Sequence, residues 1–269
     1  MAPFWQCNLL RVCGPALLPL CALAAGMGWG QNAAAADLAE SCPVATATRP
    51  LPNREPRPQA PPPPEADAVI QGHGDYRDRL RSTPHGWPRR DHWCVWIEPS
   101  AADGPAARWD QAWRSAVQAA LDRWGTLVPI TTVPERQQAQ VLIERRRPPL
   151  RGGRASHGRA ELALVVVDRQ QIAALEPLVT VQISPGQRAA AIEATALHEL
   201  GHAFGLWGHS DRSGDAMAAV PGPEPVRELS ERDRASFRWL QRQPGLQLDR
   251  DGAPTGPAEQ LCVSGSCGP

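Results

Sequence analysis

The 269-residue chain predicts an α+β domain, a mixed β-sheet with helices packed on it. Three observations carry that expectation. A short apolar run with alternating character, Trp93 to Glu98, is bounded by Pro99 as a strand should be. A longer run with apolar residues at helical spacing follows it, and several further β-type runs come before a second helical stretch. Hydrophobic residues make up 42% of the chain, enough for one core, while its 29 prolines are roughly twice the average usage of about 5% and require much of the chain to be non-helical. The 28 basic residues, all arginine, balance 28 acidic ones. A net charge of zero excludes a nucleic-acid binder that relies on global charge.

At the N-terminus no charge appears between Arg11 and Asp37, and Val12 to Trp29 is apolar apart from Gly and Pro, ahead of the small-residue tract Ala33 to Ala36. This is the pattern of a secretory signal over 1–36, which places the mature chain outside the cell or in the periplasm or envelope. An uncleaved anchor, giving envelope attachment, is the competing reading. Pro15, Pro19, Gly26, Gly28 and Gly30 make a poor spanning helix and argue against it. Cys21 follows Leu18-Pro19-Leu20 rather than the small residues that a lipoprotein signal needs.

Loss of the signal removes Cys7, Cys13 and Cys21 and leaves Cys42, Cys94, Cys262 and Cys267, an even count that suggests two disulfides in an exported protein. None of the CxxC spacings of a structural zinc site is present. The short Val-Ser-Gly-Ser loop favours a local Cys262–Cys267 bridge, which leaves Cys42 for Cys94; a bridge from Cys94 to the tail is the alternative. Nine prolines between Pro43 and Pro64 mark 37–86 as an extended spacer. The tail, 246–269, is again rich in Gly and Pro, so the folded domain is expected over 87–245.

Within it, Asp103-Gly104-Pro105 opens a helix whose Trp109, Trp113, Val117, Ala120, Leu121 and Trp124 form one apolar stripe, closed by Gly125. The spacing alone explains these tryptophans as core. Strands are expected at Leu127–Thr132, Ala139–Glu144, Glu161–Val167 and Leu178–Ile183. The run Arg145, Arg146, Arg147, Arg151, Arg154 and Arg159 reads as a solvated loop. Ser184-Pro185-Gly186-Gln187 has the spacing of a capping box, which predicts a helix from there through about Phe204.

On that helix His198 and His202 are four apart and share a face, while Leu197, Leu200 and Phe204 lie opposite, available to the sheet. Two stacked imidazoles are a preorganised pair of metal ligands, and Glu199 beside them can reach a water held there. Gly205 lets the chain leave the helix through a positive φ, so that His209 can swing back as a third nitrogen ligand.

The string from His198 to His209, His-Glu-Leu-Gly-His-Ala-Phe-Gly-Leu-Trp-Gly-His, resembles the long zinc motif of the metzincin peptidases. Ser210 directly after it and Met217 eight residues past His209 narrow the likeness to the matrixin type, and Leu229 to Leu240 is similar to that family's closing helix. The resemblance implies a zincin-like fold, with a mixed and mostly parallel sheet, an active-site helix, a Met-turn and a closing helix. It also implies a monomeric Zn2+ endopeptidase acting on protein or peptide, with His198, His202 and His209 on the metal, Glu199 as general base and Met217 beneath the site.

Departures from the pattern carry expectations of their own. Only His157 stands where animal matrixins have a His/Asp-rich loop, so neither structural zinc nor calcium is expected and one zinc per chain is. Ala218-Ala219-Val220-Pro221 lacks the family's Pro-x-Tyr wall, and no cysteine-switch motif precedes the domain. Two rivals stand beside this reading. One is a thermolysin-like peptidase with a later glutamate such as Glu231 as third ligand. The other is an exported, Pro-tethered binding protein whose zinc site does not turn over; retention of Glu199 speaks against it, because a structural site needs a fourth ligand rather than a base.

Overall fold

Trp93–Ile97 is buried at every position, as a strand covered on both faces must be. In the computed structural model, which describes residues 42–51, 74–100, 103–104, 106–150, 156–169 and 172–248, this strand is β2 of a six-stranded sheet. The others are β1 (Ala47–Pro50), β3 (Ile130–Val133), β4 (Val141–Glu144), β5 (Gly158–Arg169) and β6 (Ile172–Ile183); the helices are α1 (Ala107–Gly125), α2 (Ala189–Ala203) and α3 (Glu231–Gln241). The spatial order is β1-β5-β6-β4-β2-β3. Pairs β2–β3, β2–β4 and β4–β6 are parallel, whereas β5–β6 and β1–β5 are antiparallel, so the sheet is mixed and the domain α+β.

The alternation in β2 divides two cores. Trp93, Val95 and Ile97 join the main core with the helices, while Cys94 and Trp96 face a smaller cluster with Cys42, Val133, Ala139 and Leu142. Helix α1 contributes Trp113, Val117, Ala120, Leu121 and Trp124 to the main core. Trp109 departs from the expected stripe. It is 64% exposed, with the Arg108 guanidinium 4.8 Å from its ring. The helix begins only at Ala107, so Trp109 stands in the first turn, met by its neighbour instead of the core.

One helix boundary also moved. Helix α2 starts at Ala189, five residues after the expected cap, with an extended Arg188 at its N-cap and no side-chain cap. Ser184 is still engaged by the hairpin, its N–H donating to the His157 carbonyl at 2.8 Å, so the backbone there prolongs the strand ladder rather than opening a helix. Helix α3, by contrast, opens on a side-chain cap: Ser230 and Asp233 form a reciprocal capping box.

Part of the Pro-rich segment belongs to the fold rather than to a spacer. Cys42 is joined to Cys94, β1 pairs with Val165–Asp168 of β5, and Tyr76 and Leu80 are buried in the main core. Among the described residues no helix is long and apolar enough to cross a membrane. The signal expected over 1–36 and the expected Cys262–Cys267 bridge fall outside the described residues.

Candidate metal centre

Helix α2 holds the first two histidines one turn apart, His202 buried and His198 half-buried. It stops at Ala203, and Gly205 turns the chain with φ at 109°, as the third ligand requires. The structure brings His198, His202 and His209 together: their ligand atoms all lie within 4.8 Å of one another. His202 Nε2 and His209 Nε2 are 3.2 Å apart.

Ring orientation is set by backbone carbonyls. A carbonyl can only accept, so His198 Nδ1–H donates to Ala216 O and His202 Nδ1–H to Leu206 O, each at 2.8 Å. This fixes the tautomer and leaves both Nε2 lone pairs aimed inward. Burial lowers the proton affinity of all three rings and pushes His202 down to about 3, so they stay neutral and able to ligate. Tetrahedral zinc with nitrogens at about 2.0–2.1 Å separates neighbouring ligands by about 3.3 Å. Three neutral imidazoles converging at that scale fit zinc with one open position.

Glu199 is buried beside His198 and outside the ligand cluster. Burial raises its carboxyl to about 7, against the lowering pull of the Ala160 N–H and of Arg159. Strand β5 passes so close that a Cβ on Gly158 would lie 2.7 Å from Glu199 Cγ and Oε1. Any side chain there would press on the Thr195 methyl and on the carboxylate itself. Met217 is fully buried under Gly201 of α2, and the Met217 carbonyl accepts from Ser210 N–H at 2.7 Å. Glu231 is exposed, near Arg234 at 3.8 Å, and does not join the three nitrogens.

Several contributors have no local sequence signature. The carbonyls of Ala216 and Leu206 are silent in any sequence, and Gly158 and Ala160 come from a distant strand. A second His/Cys group, Cys42, His92 and Cys94, also falls within 4.8 Å, but its two sulfurs are joined to each other. No protein-family model matches the chain, and no curated protein matches it at a significant level.

Proposed function

We propose that the chain is an exported zinc-dependent endopeptidase of the matrixin-like metzincin type, with a zincin-like fold. The observation that carries this reading is the convergence of His198, His202 and His209 with Glu199 alongside but not among them. His198, His202 and His209 would hold the metal. A bound zinc supplies a Lewis acid that polarises a carbonyl and lowers the pKa of water toward about 7.

The chain's own residues do the rest. Glu199, whose carboxyl sits at about 7, takes a proton at its carboxylate and returns it to the leaving amine. Substrate lies along the outer edge of β5 from Gly158 to Ala163, where among the described residues no strand pairs, and is held by backbone hydrogen bonds. The rival thermolysin-like arrangement has no support from the exposed Glu231.

Degradation of casein or gelatin by the purified chain, abolished by a chelator, tests the activity. Glu199→Ala should keep zinc and lose about 10²- to 10⁴-fold in rate, whereas His202→Ala should lose both zinc and activity. A Glu199→Ala protein that hydrolyses at the parental rate would rule out the base. One that loses zinc as completely as His202→Ala would make Glu199 a ligand instead.

A further inference from the structure

We propose that Tyr76 is a positioning residue of the metal centre, its hydroxyl acting through Asp233 and the turn at Met217 to fix His198. The inference rests on the zinc reading of the three histidines. It starts from a carboxylate that is 0% exposed. Asp233 Oδ2 accepts from Ala216 N–H at 2.8 Å and Ser230 N–H at 2.9 Å, while Oδ1 accepts from the Tyr76 hydroxyl at 2.8 Å and Met217 N–H at 3.3 Å. Ala216 in turn offers its carbonyl to His198 Nδ1–H. One side chain therefore holds the peptide that holds the ring.

The Tyr76 hydroxyl is the shorter of the two bonds to Oδ1. Without it, a carboxylate oxygen in a dry interior keeps only the long bond to Met217, and the charge must be recovered by drawing that turn toward it. Such a movement carries Ala216 O away from the imidazole. Burial raises the phenol's pKa, so it remains a donor throughout the working range.

The same stretch grips the other side of the site. Arg81 N–H donates to Trp207 O at 2.9 Å, the Arg79 guanidinium lies 3.3 Å from Asp211, and Gly208 packs so tightly that a Cβ would lie 3.0 Å from Leu80 Cα. Residues 207, 208 and 211 flank His209. Tyr76 to Arg81 is thus a strap across the loop that presents His209 and the turn whose carbonyl orients His198.

A further bond of the strap provides the control. Tyr76 N–H donates to Ser236 Oγ at 3.0 Å, a contact that does not pass through the turn. In the full chain, Tyr76→Phe and Ser236→Ala should both lower the melting point of the metal-free protein. Zinc release to a competing chelator should accelerate about 10-fold in Tyr76→Phe, the low end for residues behind a ligand, and stay within about twofold of the parent in Ser236→Ala. The visible bands of the cobalt(II)-substituted protein should move only in Tyr76→Phe. Parental release and an unchanged cobalt spectrum in Tyr76→Phe would overturn the proposal. So would equal acceleration in both variants, since that is the signature of general loosening. A parent chain that retains neither zinc nor cobalt would overturn the site reading itself, and the proposal with it.

Discussion

Gly201 sits on α2 between the two helical histidines, and adding one methyl group there sets two effects of opposite sign against each other. At an exposed helical position Gly→Ala stabilises by about 1 kcal/mol, because the unfolded chain has less freedom to lose. Here the new Cβ would lie 3.0 Å from Trp124 Cζ2, 3.1 Å from Met217 Cε and closer still to Met217 Sδ. Neither neighbour has room to retreat. Both are fully buried, and the Trp124 indole N–H is tied to Leu197 O at 2.9 Å. Overpacking of this kind costs about 1–3 kcal/mol, so the net change is a loss of up to about 2 kcal/mol. At about 2–4 °C per kcal/mol for a domain of this size, Gly201→Ala should melt lower by as much as about 8 °C. Near-UV circular dichroism of the metal-free proteins measures it, with zinc release as a second readout because Met217 is the side chain displaced. A melting point above that of the parent would refute the packing argument.

Two further predictions concern stability. In the metal-free protein His202, held at about 3, is neutral in the fold and protonates on unfolding above that value, so its contribution is lost as pH falls from 6.5 toward 3. Glu199, raised to about 7 from 4.5, binds its proton in the folded state first, so its contribution is lost as pH rises through that window. Between pH 6.5 and 4.5 the two slopes oppose each other; Glu199→Gln removes one, and relative to the parent it should lose stability there on acidification by about 1.4 kcal/mol per pH unit. Coincident pH–melting profiles of the two proteins would contradict the Glu199 assignment, and a Glu199→Gln profile that stays flat between pH 6.5 and 4.5 would contradict that of His202. Replacing Cys42 and Cys94 by serine opens a loop of sequence separation 52 and should cost about 4 kcal/mol by the chain-entropy argument. Denaturant titration checks this, and a loss below about 1 kcal/mol would show that the segment is structured without the bond.

What was legible in the sequence was whatever repeats at short range. Helix α1 followed from its apolar spacing, β2 from alternation, α3 from the likeness of Leu229 to Leu240 to a closing helix, and the turn to His209 from Gly205. Short-range signals also misled: Ser184 and Gln187 have the letters of a cap, but the β5–β6 ladder holds Ser184 by its backbone and delays the helix. Strand β1 is exposed at all four positions, so Ala-Thr-Arg-Pro carries no alternation to read. Strand β6 begins at Ile172, well before the expected Leu178, because Ala173, Ala174 and Pro177 carry no strand signal and pairing with β5 decides instead. Tyr76 and Asp233 lie 157 residues apart. Asp233 reads locally as a cap, and its second task beneath the histidines exists only once the chain has folded.

The four-residue ladder between β1 and β5 bears on the protein's behaviour in a crowded solution. Strand β5 is 12 residues long and carries Val165-Val166-Val167, the sort of sequence that recruits another chain when its edge is bare. β1 covers that valine stretch and leaves the open portion beside Glu199. Because Cys42 is bonded to Cys94 on β2, the cover is fastened from five residues away and cannot peel back freely. Chains made where thiols stay reduced keep this cover by its hydrogen bonds alone, so such preparations are the ones in which self-association through the valine edge should begin.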